Sequence, residues 1–194
     1  MSAVMYTVGT LVLYDRRGVY EVESTQASPL PQNDGCMYYK LRAPFSSSNE
    51  VIYIPVDTAA FMRPLIGESE VSAYFELSSR LEPKVFSARK TMDLAAHYRG
   101  MLASCRLEDC LLLIKEIYTK QKNLASQSKK LGQVDQQYLK LAERLVCEDF
   151  AAVLHTTPDE IKKRLYAAMR RKTPGAEQAS SRTAVRKLDA VSVC

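Results

Sequence analysis

The stretch from Val8 to Val22 constrains the fold more than any other part of the chain. Val8-Gly9-Thr10-Leu11-Val12-Leu13-Tyr14 and Gly18-Val19-Tyr20-Glu21-Val22 flank the short polar segment Asp15-Arg16-Arg17. Val, Leu and Tyr suit a pleated, half-buried surface. Asp15 opens a turn, and Gly18 supplies the permissive backbone that closes it. The chain therefore begins with a β hairpin, and any architecture must accommodate a small sheet at its start.

The strand pattern continues beyond this hairpin. Ser28-Pro29-Leu30-Pro31-Gln32-Asn33-Asp34-Gly35 is a turn-rich connection. In Met37-Tyr38-Tyr39-Lys40-Leu41-Arg42, Met37, Tyr39 and Leu41 share one face while Lys40 and Arg42 share the other. Glu50-Val51-Ile52-Tyr53-Ile54 reads as a further strand, and Pro55 stops it or places it at a sheet edge. Four short strands in about 55 residues predict a small, strongly bent sheet or barrel.

From about Gly67 the apolar period lengthens. Residues Glu70 to Ser79 form a helix candidate, and Leu81-Glu82-Pro83-Lys84 reads as the connection between two halves. Leu107, Cys110, Leu111, Ile114, Ile117 and Tyr118 follow the i, i+3, i+4, i+7 spacing of an amphipathic helix. Gln121 to Gln133 is polar and should contain a helix end and a loop. Tyr138, Leu141, Ala142, Leu145 and Val153 mark the next long helix. Thr157-Pro158-Asp159-Glu160 is a helix start in which Thr157 caps, Pro158 fits the first turn and Glu160 completes a capping box. The reading is α+β: a small sheet followed by helices. Residues 173–194 lack periodicity and read as a disordered basic tail.

Charge divides the same way. Residues 1–80 carry a surplus of three acidic side chains, and the rest a surplus of eight basic ones. Such asymmetry suggests two different partners, and a basic helical half could meet nucleic acid or simply be a solvated surface. No apolar run approaches the ~20 residues of a membrane span, and no secretory signal pattern opens the chain, so a cytoplasmic location is expected.

Catalytic signatures are scarce. Cys36, Cys105, Cys110, Cys147 and Cys194 form no CxxC pair, and Cys110 and Cys147 fall on apolar helix stripes. His97 and His155 lie in no metal-spacing cluster. Glu148-Asp149 and Asp159-Glu160 are adjacent acids that diverge on a helix, so they are read as surface charge and as a helix start. Gly-rich phosphate loops and nucleophile elbows are absent. A non-enzymatic protein is expected, with no metal or other cofactor and no small-molecule substrate.

Taken in order, the opening strand–turn–strand, the Tyr38-Tyr39-Lys40-Leu41 strand, the Val51-Ile52-Tyr53-Ile54-Pro55-Val56 strand and the helical second half resemble the CarD/CdnL family of bacterial transcription regulators. Met62-Arg63-Pro64-Leu65 resembles that family's Arg-containing segment before the first helix, and Leu102-Ala103-Ser104 its later helix-end pattern. The resemblance spans about residues 5–170. It implies a Tudor-like or SH3-like domain over residues 1–65, related to one in transcription-repair coupling factor, that binds the RNA polymerase β subunit. It also implies a helical DNA-binding domain over residues 66–172 that contacts promoter DNA. Glu50, Val51, Ile52, Tyr53 and Ile54 are the candidate polymerase-binding strand, since an exposed strand edge can pair with a partner's sheet.

The family commonly wedges a Trp into the DNA minor groove, and this chain has none. Alignment on Glu82-Pro83 puts Phe86 in that place, followed by Arg89 and Lys90, whereas counting back from Leu102 puts Thr91 there. Phe can serve as an apolar wedge beside cations that reach phosphates. Phe86, Arg89, Lys90 and Arg99 are the candidate DNA contacts. Where the family commonly has Gly-Asp after the Leu-x-Ser pattern, this chain has Cys105-Arg106. The expected function is modulation of open-complex stability; the alternative is an adaptor whose helical half binds another protein.

Overall fold

The computed structural model describes residues 6–27 and 36–171; the expected tail over 173–194 lies outside them. Within these residues the chain is α+β, with five antiparallel strands followed by five helices. The strands are β1 (Leu11–Tyr14), β2 (Gly18–Ala27), β3 (Met37–Arg42), β4 (Val51–Pro55) and β5 (Met62–Pro64). They form one open sheet in the order β4-β3-β2-β1-β5. The opening hairpin forms as the sequence predicts: Tyr14 pairs with Gly18, and Asp15 and Gly18 both take the positive φ that the tight turn needs, 43° and 115°. β5 is an addition to the four predicted strands. It is three residues long and ends in proline, too short for alternation to reveal it.

The two faces of β1 and β2 serve different cores. Adjacent strand residues point to opposite faces, so Val12 and its partner Tyr20 join Val22, Tyr39, Leu41 and Ile54 in a cluster within the sheet. Leu13 and its partner Val19 point the other way, into the large core shared with the helices. In β3, Tyr39 and Leu41 are buried on the predicted face, but Met37 at the strand's start is exposed.

The helices are α1 (Glu68–Arg80), α2 (Thr91–Met101), α3 (Leu107–Ala125), α4 (Gln133–Val153) and α5 (Pro158–Arg170). α1 exceeds its predicted span at both ends; at its start the Glu70 carboxylate accepts the Gly67 N–H at 2.7 Å and fixes the first turn. α3 buries Leu107, Cys110, Leu111, Ile114 and Ile117, the predicted stripe. The predicted polar loop carries Gly132, which becomes the N-cap of α4 and donates its N–H to Asp135 at 3.2 Å. Thr157 caps α5 by accepting the Glu160 N–H at 3.3 Å. Only that half of the predicted capping box forms, since the Glu160 carboxylate turns to Lys163 at 3.8 Å.

α4 carries the joint between sheet and helices. The reading of Glu148-Asp149 as surface charge is wrong: Asp149 is fully buried, and Glu148 reaches the sheet. The two side chains diverge as neighbours on a helix must, yet both directions lead into protein. Glu148 accepts the Val19 N–H at 2.9 Å, and Asp149 accepts Arg63 of β5 at 2.6 Å. Burial pushes both carboxyls above their ordinary range, against the pull of Val19 and Arg144 on one and Arg63 on the other.

Candidate functional site

The first candidate surface is β4. Among the described residues it pairs only with β3, through Tyr38↔Pro55, Tyr39↔Ile54, Lys40↔Tyr53, Leu41↔Ile52 and Arg42↔Val51. Ladder bonds run from the Ala43 N–H to the Glu50 carbonyl and from the Val56 N–H to the Met37 carbonyl. Antiparallel pairs alternate between hydrogen-bonded and non-bonded. Ile52 and Ile54 therefore turn their backbone groups toward β3, while Val51, Tyr53 and Pro55 turn theirs to the open edge. Pro55 has no N–H, so its place on the outward side removes no ladder bond.

Side chains sort in the same way. Ile54 is buried and Ile52 packs against the sheet core. Val51 and Tyr53 are 37% and 42% exposed. The nearest charges on this face are tied across to β2, Arg42 to Glu21 at 2.5 Å and Lys40 to Glu23 at 3.0 Å. The edge itself is thus apolar and aromatic. Glu50 is held rather than free: its carboxylate accepts the Tyr20 hydroxyl at 2.9 Å and faces Arg17 at 3.8 Å. Burial and that bond push the Tyr20 hydroxyl up to about 12.

The second candidate surface is the segment from 81 to 90 and the helix that follows it. Phe86 is 36% exposed, and its ring stacks on His97 with centroids 4.2 Å apart and planes 20° apart. Its backbone N–H donates to Glu116 at 3.0 Å. His97 Nε2 lies 3.1 and 3.2 Å from the two oxygens of the same carboxylate. Glu116 is 2% exposed on α3 and ties the connecting segment to α2.

Sequence reasoning missed the role of His97 and Glu116. An available signal was the acid itself, set among Leu113, Ile114 and Ile117 on an otherwise apolar stripe.

Arg89 and Lys90 are exposed and lead into α2, where Lys90 is the N-cap. Thr91, the other alignment's candidate, is the exposed first residue of that helix. Arg99 is exposed near the other end. Two residues on a helix differ by about 200° in direction, so Arg99 points away from His97 and from the Phe86 ring. The fold gathers Phe86, Arg89 and Lys90 along one segment and leaves Arg99 apart from them.

No family model matches the chain, and no curated protein matches it.

Among the described residues no group of three or more His, Cys, Asp or Glu side chains is arranged to hold a metal ion. None of the helices there is long and apolar enough to cross a membrane. Cys110 and Cys147 are buried free thiols, and burial pushes both up to about 12, far from a reactive thiolate. The two candidate surfaces are thus one strand edge with exposed Val51 and Tyr53, and the segment carrying Arg89 and Lys90 beside the partly exposed Phe86 ring.

Proposed function

We propose that the protein is a non-enzymatic transcription regulator whose sheet is a Tudor-like or SH3-like module. In this reading β4 adds to a sheet of the RNA polymerase β subunit, and the helical part meets promoter DNA in the cytoplasm. Its effect on the open complex is the difference in binding free energy between promoter states. The observation that carries the reading is the edge of β4, unpaired among the described residues, with the outward backbone groups of Val51 and Tyr53 and their exposed side chains. The return of β5 to β1 in a five-stranded order supports the module type. A second detail supports the resemblance: Cys105 stands where the family commonly has Gly and takes a φ of 52°, a conformation that favours glycine.

The edge geometry sharpens the test. Tyr53→Pro removes an outward donor and spares the ladder to β3, whereas Ile52→Pro breaks that ladder. Binding to an isolated polymerase β lobe is expected to be lost in a folded Tyr53→Pro variant. Undiminished binding by that variant, with a wild-type circular dichroism spectrum, would sink the proposal.

The tethering of Phe86 by His97 and Glu116 favours a second reading, a protein-only adaptor. A wedge must leave its stack to enter a groove, and here that exposes a buried carboxylate. Titration of forked promoter DNA at two salt concentrations separates the readings. Regulator-type binding falls steeply with salt, and absence of binding at low salt favours the adaptor.

A further inference from the structure

The hairpin of α3 and α4 has two sides, and only one of them takes part in the reading above. On the first side α2 lies against it, with Tyr98 donating to Asp135 at 2.7 Å and packing on Tyr138. On the second lies α5, with the Tyr166 hydroxyl donating to Glu143 and its ring edge-on to Tyr118. Asp135 and Tyr138 point roughly opposite to Lys140 and Glu143 at about 100° per residue. On the α5 side a groove of about 810 Å³ opens between the end of α3, the loop after it, and α4 and α5.

Its lining has two parts. Leu131, Leu139 and Tyr166 give it an apolar floor, while Lys129, Lys130, Lys140 and Lys162 line it with positive charge. The groove contains one acid, Glu143, which is 7% exposed and already paired with Lys162 at 2.6 Å. Among the described residues Lys129 donates only to the neutral Gln127, at 3.1 Å. Lys130 and Lys140 are exposed and form no ion pair among the described residues. Uncompensated cations around an apolar floor call for an occupant that brings carboxylates and bulky apolar groups together.

We propose that this groove docks an acidic, amphipathic peptide segment of a partner protein. A nucleic acid fits less well. The Tyr166 ring is engaged by Tyr118 and its hydroxyl by Glu143, so it offers no free stacking platform. No Arg lines the groove to grip a phosphate bidentately. The chain's own residues 172–194 carry four basic and two acidic side chains, the wrong sign for this site. The site is independent of β4 and of Phe86, so it stands or falls apart from the polymerase and DNA reading.

The test uses the full chain and a fluorescent peptide of Glu with Leu at i, i+3, i+4 and i+7. Comparison probes are the same peptide with Leu replaced by Ser, and an oligothymidylate. Anisotropy at low salt is expected to show tightest binding by the Leu peptide. Lys130→Glu with Lys140→Glu should weaken it about tenfold or more. The milder pair Lys130→Gln and Lys140→Gln should weaken it less, and it keeps the test informative if charge reversal impairs folding. Arg80→Glu with Lys84→Glu, equal in charge change at residues that do not line the groove, should leave binding unchanged. The proposal is overturned if the Ser peptide binds equally, if oligothymidylate binds more tightly, or if the groove variants bind as the wild type does.

Discussion

Gly18 lies against Glu148 at the joint between sheet and helices. A Cβ built there would lie 2.2 Å from Glu148 Oε2, the same oxygen that accepts the Val19 N–H. The φ of 115° also disfavours any L side chain. Gly18→Ala is therefore expected to lower stability by about 2 kcal/mol, combining backbone strain with loss of a bond to the half-buried Glu148 carboxylate. Urea denaturation measures this, and an unchanged midpoint would show that Glu148 moves aside freely. Asp149 makes a prediction about pH. Its carboxyl is raised above the ordinary value mainly by burial, so the folded state binds the proton more tightly than the unfolded chain does. Stability from this group rises as pH falls through the folded-state value toward the unfolded one, and it is lost on the alkaline side. Asp149→Asn should remove that slope just above the ordinary carboxylate range. The stability of the wild type relative to the variant should then increase as pH is lowered through that window. Asp149 Oδ1 has no hydrogen-bond partner among the described residues, and Arg63 and the Ile66 backbone only partly offset the burial of the carboxylate.

Elements were legible where their signal is local. The cap at Thr157 and the proline after it specify the start of α5 without tertiary help, and Thr157→Ala should cost about 1 kcal/mol in thermal or urea melts. A cost near zero would mean that packing on α1 and α4 alone fixes that terminus. α3 was readable because its buried face repeats at helical spacing. β5 was not, because three residues ending in Pro64 gain their strand identity from pairing with β1 and from Arg63 reaching Asp149. α2 was weakly marked for a related reason. Its buried positions are only Leu94 and Tyr98, and its place depends on Glu116 and Asp135 from other helices. At the candidate surfaces the strand over Val51–Pro55 was visible in sequence, but which of its backbone groups face outward depends on register with β3.

At the scale of the molecule, the sheet and helices share a core through Leu13 and Val19. Leu13→Ala should cost about 2–4 kcal/mol, within the range for buried Leu truncations. It should also shift unfolding monitored by helix ellipticity and by tyrosine fluorescence together. Separate transitions for the two signals would show that the joint carries little coupling. Periodicity, turn chemistry and caps were enough to read an antiparallel sheet followed by helices, because those signals act between residues near in sequence. The partners of isolated polar residues were not readable. Glu116, Asp135, Glu143 and Asp149 are acids at buried positions, and each finds its cation, hydroxyl or amide at long range. A buried charge persists only where a partner compensates its desolvation. That partner is set by how the elements pack, so Phe86 came to rest on His97, and Glu148 and Asp149 became the joint between sheet and helices, only in the folded chain.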